Sequence, residues 1–261
     1  MTHSAPTALA RVLEVIDRLL DPETGCPWDR RQTPDTAKNY VLEETYELVE
    51  AVDGGRTAEV VEEMGDCFFM LCFLGRLFER TGAFGLESCL AAAADKMIGR
   101  HPHVFGAGRA LEDAEAVKAQ WHEIKQKEKA GSSLQGVPRN LPALNRTHRL
   151  TERAGRVGFD WNGPEAVLNT VADEIRELEA AMAQGDPERV KAEMGDVLFT
   201  LGNLARHLKI NAEEALRAAN TRFQRRFEYI EARLAERGLK PEQAGLAEMD
   251  RLWAQAKAEG L

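Results

Sequence analysis

The sequence predicts an all-α protein made of two tandem repeats of a helical bundle, joined by a polar linker. Three observations support this fold. Ala, Leu, Glu and Arg dominate the composition, apolar residues recur at helical spacing, and the tetrapeptide EMGD occurs at both 63–66 and 193–196. The four dominant residue types lose little side-chain freedom in a helix. A chain of 261 residues is long enough for two such domains, and it has no convincing strand pattern.

The repeat extends well beyond the tetrapeptide. The offset that aligns Glu63 with Glu193 also aligns EETYE (43–47) with DEIRE (173–177). Upstream, CPWD resembles GFDW, and downstream KMIGR matches RFQRR at a slightly shorter offset. Since two independent helices would not share this order of motifs, we expect the two halves to fold alike.

A polar segment containing Gly, Ser and Pro separates the two halves and indicates a linker. We predict a first domain over 1–130, a linker over 131–142 and a second domain over 143–261.

Each repeat is predicted to contain a helical hairpin with flanking helices. Leu42, Tyr46 and Val49 recur at i, i+4 and i+7, and the run that contains the first EMGD keeps helical periodicity over several turns. The segments between the paired helices, DGGRTAEV and AQGDPERV, each contain Gly and a polar residue that can cap a helix.

The overall charge argues against several classes of function. With 34 basic and 43 acidic residues the net charge is −9, so the chain is a poor candidate for coating a nucleic-acid polymer. The four cysteines show no CxxC spacing, which favours reduced thiols. With no apolar stretch long enough to cross a bilayer and no basic start followed by an apolar core, we expect a cytoplasmic protein that does not enter a membrane.

Each repeat carries two pairs of acids with equal internal spacing. They are Glu44, Glu47, Glu63 and Asp66 in the first repeat, and Glu174, Glu177, Glu193 and Asp196 in the second. Glu63 and Asp66 continue the helical stripe of Met70, Phe73 and Leu77, so they should face the partner helix. Four converging carboxylates need protonation or a cation. Oxygen ligands favour Mg²⁺, with Mn²⁺ as a substitute.

A glycine lies within both EMGD segments, two residues after the first acid. Gly65 and Gly195 each cost a helix about 1 kcal/mol relative to Ala. Close approach of a ligand or of a neighbouring helix would explain such a position, and the sequence leaves both explanations open.

Taken together, these motifs resemble those of the MazG nucleoside triphosphate pyrophosphohydrolases, in order and over nearly the whole chain. The motifs that carry the resemblance are CPWD, LEETYELVEA, EEMGDCFFM and ADKMIGRHPHVF, followed by LPAL, VGFDW, ADEIRELEA, EMGDVLF and ANTRFQRRF. The resemblance implies paired all-α bundles, a homodimer, and Mg²⁺-dependent hydrolysis of nucleoside triphosphates to monophosphate and pyrophosphate. It also implies broad base tolerance, a role in cleansing the nucleotide pool, and a second domain that does most of the catalysis.

Carried over to this sequence, the resemblance implies roles for individual residues. Glu174, Glu177, Glu193 and Asp196 would be the catalytic metal ligands, and Glu44, Glu47, Glu63 and Asp66 their first-domain counterparts. The nucleotide would be bound by Arg189, Arg222, Arg226 and Trp253, with Lys96 and Arg100 at the matching first-domain positions. A lysine that the family has shortly before the first acid pair of the second domain appears here as Thr170.

Other features are interpreted as structural. Trp28 and Trp161 are predicted to support their bundles, and HPHVF (101–105) to form a loop after a basic helix. Two other functions compete with hydrolysis: a metal-dependent nucleotide sensor without turnover, and a di-metal oxidase bundle. The absence of histidine from both acidic motifs disfavours the oxidase.

Overall fold

A computed structural model of the chain describes residues 4–106, 113–114, 116–117, 120–121, 124 and 132–261. All regular secondary structure in these ranges is helical, which confirms the predicted all-α fold. The chain divides into two compact units, Met1–Lys129 and Ala130–Leu261. The predicted end of the first domain at residue 130 and the start of the linker at residue 131 lie outside the described residues.

The first unit contains five α-helices before residue 107, besides a short 3-10 helix at Asp29–Arg31. They are α1 (Ala5–Leu19), α2 (Pro34–Asp53), α3 (Thr57–Arg80), α4 (Leu86–Arg100) and the short α5 (Pro102–Phe105). Helices α2 and α3 form the most extensive pair, and α1 packs on α3. HPHVF, predicted to be a loop, supplies the single turn of α5 because Pro102 occupies the first helical position.

The second unit repeats this arrangement. Its helices are α6 (Ala143–Arg156), α7 (Pro164–Gln184), α8 (Pro187–His207), α9 (Ala212–Ala235), α10 (Pro241–Ala244) and α11 (Leu246–Ala258). Helices α7 and α8 pair as α2 and α3 do, α6 packs on α8, and α11 packs on α9. The predicted hairpin therefore occurs once in each unit.

The hairpins begin and turn where the local sequence requires. Thr33 and Thr36 form a capping box ahead of α2, and the Asp186 side chain accepts hydrogen bonds from the backbone N–H groups of Glu188 and Arg189 at the start of α8. Gly185, between α7 and α8, has φ of 70°, a left-handed conformation that ends a helix with little strain only when the residue is glycine. The caps and the glycine turn set where each hairpin helix begins or ends, and so where its acids lie along it.

Each unit has its own hydrophobic core. In the first, Ile16, Phe73 and Leu77 are buried with Leu20, Ala37 and Cys72. In the second, Ile230, Leu234 and Leu252 hold α9 against α11, with Trp253 packed beside them. None of the helices within the described ranges combines the length and hydropathy needed to cross a membrane.

Candidate metal and nucleotide site

Carboxylates from both helices of the first hairpin converge on one point. Oxygens of Glu44 on α2 and of Glu63 and Asp66 on α3 lie within 4.8 Å of one another. Glu47 lies one turn further along α2 and is exposed. We call these four residues the first carboxylate cluster.

The second hairpin builds the same arrangement. Oxygens of Glu174 and Glu177 on α7 and of Glu193 on α8 lie within 4.8 Å of one another. We include Asp196 in the second carboxylate cluster because, of the neighbouring acids, it raises the pKa of Glu174 most. Three of the four predicted acids thus converge in each hairpin, and the fourth, Glu47 or Asp196, lies near enough to shift the pKa of its neighbours.

Burial and mutual repulsion shift the titration of both clusters. Partial burial, followed by repulsion from Asp196, Glu177 and Glu193, raises the pKa of Glu174 above its usual value. Burial and the acids around them raise the pKa of Glu44 and of Glu63 in the same way. The acids of each cluster therefore repel one another, and a bound cation would relieve this repulsion.

The acids lie at the edge of the core rather than inside it. Glu63 and Glu193 are half-buried, as expected from their helical stripe, but Asp66 and Asp196 are exposed. The expectation that Asp66 faces the partner helix is met, because its carboxylate lies within 4.8 Å of that of Glu44, but solvent reaches both aspartates. Their shorter side chains stop at the rim, where water and a ligand have access.

One cation distinguishes the second cluster from the first. The Arg189 Nε donates to Glu193 Oε1 at 3.4 Å, and its Nη1 donates to Gln184 at 2.9 Å. At the matching position the first unit has Glu59, which pairs with Arg56 at 2.5 Å. The second cluster therefore has a guanidinium at its edge where the first has another acid.

The other nucleotide-binding residues predicted for the second unit lie on α9 and α11. Arg222 is exposed, whereas the Arg226 Nε donates to the Leu261 carbonyl at 2.7 Å and its guanidinium lies 5.3 Å from the Trp253 ring centroid. Phe223 also packs on Trp253, with ring centroids 5.3 Å apart. These contacts of Arg226 and Trp253 join α9 to the C-terminal segment, and none of the three involves an acid of the second carboxylate cluster.

The first unit has a similar pair, part of which the sequence analysis missed. Arg100 lies with its guanidinium 5.8 Å from the ring centroid of Trp121, while Lys96 is exposed on α4. The match between KMIGR and RFQRR pointed to Arg100. A search for a tryptophan downstream of each basic motif would also have found Trp121.

Asp160 of GFDW forms a polar cluster that the sequence reasoning overlooked. Its Oδ1 accepts hydrogen bonds from Arg206 and, at 2.9 Å, from His207 Nε2, and a third comes from the Trp161 N–H at 2.9 Å. Burial alone would raise the pKa of Asp160, but the bonds from Arg206 and His207 hold it below its ordinary value. These contacts tie the loop ahead of α7 to the end of α8.

The donor sets suit hard divalent cations. Each cluster offers only oxygen ligands, and the oxygens that converge lie within 4.8 Å of one another, near enough to share one cation. Burial and mutual repulsion raise the pKa of Glu44 and of Glu174, and a bound cation would relieve both effects. The residues present therefore fit Mg²⁺ or Mn²⁺ in both units.

Comparison with known proteins agrees with this geometry. A family model described as the MazG nucleotide pyrophosphohydrolase domain matches the chain twice, over residues 32–105 and 162–230. The chain belongs to the MazG family. This confirms the resemblance read from the sequence, and the two matches contain both hairpins with all eight acids.

Individual relatives in the MazG family cover nearly the whole chain. A nucleoside triphosphate pyrophosphohydrolase of Escherichia coli (strain K12) is 41% identical over 255 residues, which is 95% of this chain and 97% of the relative. A Thermotoga maritima protein named nucleoside triphosphate pyrophosphohydrolase/pyrophosphatase MazG is 36% identical, with 94% of both chains covered. Bacillus subtilis YabN, named as uncharacterized, is 39% identical over 93% of this chain but only 50% of its own length.

Proposed function

We propose that the chain hydrolyses nucleoside triphosphates to nucleoside monophosphate and pyrophosphate in a Mg²⁺-dependent reaction with broad tolerance of the base. The observation that carries this proposal is the pair of carboxylate clusters, which are built from equivalent positions of two hairpins and whose acids repel one another. A triphosphate is itself negative, so it could enter such a site only together with metal ions. The names of the relatives point to the same reaction.

In the second unit, Glu174, Glu177, Glu193 and Asp196 would hold the metal. Bound Mg²⁺ would supply charge neutralisation for the phosphates and lower the pKa of water. The clustered carboxylates themselves orient water by accepting its hydrogen bonds. A carboxylate that is not fully engaged with metal could accept the proton of that water.

We assign most of the turnover to the second unit because of Arg189. A guanidinium beside Glu193 can attract phosphate oxygens and bind them through two donors at once. Glu59 at the matching position would repel the same oxygens. The first cluster therefore suits metal binding, and the second suits metal and triphosphate together.

The nature of the products tests the proposed reaction. Purified protein incubated with each common nucleoside triphosphate and Mg²⁺ should release nucleoside monophosphate and pyrophosphate in equal amounts, as followed by ³¹P NMR. Orthophosphate as the sole phosphate product would contradict the proposal. Tight Mg²⁺-dependent nucleotide binding without any product would instead indicate a sensor.

We also propose that two copies of the chain form a dimer through the backs of the hairpins. Met64, Phe68 and Leu71 on α3 are exposed at helical spacing, and Met194, Leu198 and Leu201 repeat them on α8. These apolar residues lie on the side away from the carboxylates. Stripes of this kind rarely stay in contact with water in a soluble protein.

The two EMGD glycines support the same interface. A Cβ added to Gly65 or Gly195 would meet nothing within 4 Å, so close helix packing inside one chain does not explain either glycine. At about 100° per residue each glycine is turned away from the first acid of its motif and lies beside the exposed stripe. Close approach of a helix from a second copy would account for both positions.

Replacing Leu198 by Glu should weaken the dimer, because a carboxylate would then have to be buried in an apolar interface. Light scattering should give a mass near twice the 29.0 kDa of one chain for the wild type and a mass that falls on dilution for L198E. Glu substituted for the exposed Leu246, on α11 outside the stripe, is the matched control. A wild-type protein that remains a monomer at micromolar concentration would refute the dimer.

A further inference from the structure

Each hairpin is preceded by a loop tryptophan that contacts the first helix at an equivalent position. The Trp161 Nε1 donates to Thr170 Oγ1 at 3.1 Å. In the first unit, the ring of Trp28 packs edge-on against Tyr40, with centroids 5.6 Å apart. Tyr40 and Thr170 correspond under the same offset that aligns the acids of the two repeats. In both units an indole therefore contacts the same position of the first hairpin helix, although that position is Tyr in one unit and Thr in the other.

This place is next to the carboxylates. Thr170 precedes Glu174 by four residues, so both lie on the same face of α7, about 6 Å apart along the helix axis. Tyr40 and Glu44 have the same relation on α2. In each unit an indole therefore stands about one helical turn from the metal ligands, at the end of the cluster where α2 or α7 begins.

The indole of Trp161 is held in a fixed position. Asp160 accepts hydrogen bonds from the backbone N–H of Trp161 and from the side chains of Arg206 and His207. The Asp160 side chain also packs against Gly155. A Cβ on Gly155 would lie 2.7 Å from Asp160 Oδ2, so that position has no room for a side chain. The loop is therefore anchored at the residue next to the tryptophan.

These tryptophans are more accessible than support of the core would require. Trp28 is 49% exposed, and Trp161 is only half-buried although its N–H is bonded. An aromatic face held rigidly beside a phosphate-binding site is suited to stack on a base, and such stacking tolerates every base because each has a π-face. It would also explain how one site accepts several nucleotides.

We propose that Trp161 stacks on the nucleobase of the triphosphate whose phosphates lie at the second carboxylate cluster. This inference rests on the proposed function and adds to it a residue that contacts the base. Trp28 is the equivalent residue of the first unit. The hydrogen bond to Thr170 fixes the edge of the indole and leaves the ring free to contact the base.

Binding measurements with and without a base test this assignment. Isothermal titration would compare the α,β-methylene analogue of ATP with inorganic tripolyphosphate, both with Mg²⁺, on wild type, Trp161→Leu and Trp161→Phe. We expect Trp161→Leu to raise the Kd of the ATP analogue about 5- to 150-fold, the range for one stacked base. Tripolyphosphate should bind all three proteins alike, and Trp161→Phe should keep most of the affinity for the ATP analogue.

The outcomes separate this inference from the proposed function. If Trp161→Leu weakens the ATP analogue and tripolyphosphate equally, or weakens neither, Trp161 only supports the fold and the inference is wrong. If the wild type binds neither ligand, the proposed function fails as well. Should Trp161→Leu not fold, ¹⁹F NMR of the 5-fluorotryptophan-labelled protein decides, with Trp161→Phe assigning the resonance. The ATP analogue must then shift the Trp161 signal while tripolyphosphate leaves it in place.

Discussion

Glu193→Ala is expected to lower the rate of pyrophosphate release about 10³-fold, equivalent to about 4 kcal/mol of lost transition-state stabilisation. Glu193 is one of three acids whose oxygens meet within 4.8 Å, its side chain is only 13% exposed, and it is the acid that Arg189 contacts. Its loss would remove a metal ligand and leave Arg189 without its carboxylate partner. A continuous assay for released pyrophosphate at saturating Mg²⁺ measures the effect.

Glu63→Ala is the matched control for this substitution. It changes the same residue of the same tetrapeptide in the first unit, where Glu59 stands in place of Arg189. We expect it to lower the rate less than about threefold, because the first cluster lacks the cation that would receive the phosphates. Equal losses from the two variants would contradict the assignment of turnover to the second unit.

Removal of divalent cations is expected to abolish pyrophosphate release and to destabilise the protein at neutral pH. Glu44, Glu63 and Glu174 have raised pKa values, so the folded state binds protons more tightly than the unfolded chain. Without metal, these groups therefore lower the stability as pH rises from the ordinary value of 4.5 through their raised pKa. Metal binding reverses this trend, because the cation binds the ionised form.

Thermal unfolding with EDTA and with Mg²⁺, across a range of pH, measures this effect independently of activity. A Mg²⁺ concentration 100 times the Kd should add about 2.7 kcal/mol to the free energy of unfolding at pH 7. As pH falls below 4.5, protons bound to Glu44, Glu63 and Glu174 compete with the metal, so the increment should shrink. Glu174→Gln should unfold at a higher temperature than wild type in EDTA, because it relieves the repulsion, and should gain less from Mg²⁺. A Mg²⁺ increment that is the same at every pH would contradict this account.

The sequence alone was sufficient for the repeat and for most of each cluster. Two acids at i and i+3 lie on the same face of a helix, so the spacing within each pair predicts that both point the same way. The recurrence of the pairs at a single offset implies that both hairpins are built alike. How deeply each acid is buried was not predictable in this way. Asp66 and Asp196 follow the core stripe in projection, but their side chains are shorter than those of the glutamates and remain exposed to water.

Contacts between distant residues were beyond the reach of pattern reasoning. Asp160 bonds to Arg206, 46 residues away, and Arg226 bonds to the carbonyl of Leu261, 35 residues away. No helical period links such positions, because the loops and the docking of α11 bring them together. The contrast between Arg189 and Glu59 was visible in the aligned repeats. That this contrast concerns the carboxylate cluster follows from the structure, in which Arg189 contacts Glu193.

Counting bound metal ions tests the central claim, a divalent-cation site at each carboxylate cluster, most directly. Mn²⁺ can be titrated into metal-free protein and the free ion followed by EPR, with wild type compared with the double variants Glu174→Gln/Glu193→Gln and Glu44→Gln/Glu63→Gln. We predict that each double variant loses one class of sites and keeps the other, and that only the first loses pyrophosphate release. Mn²⁺ binding that neither double variant reduces would contradict the assignment of the carboxylates as metal ligands.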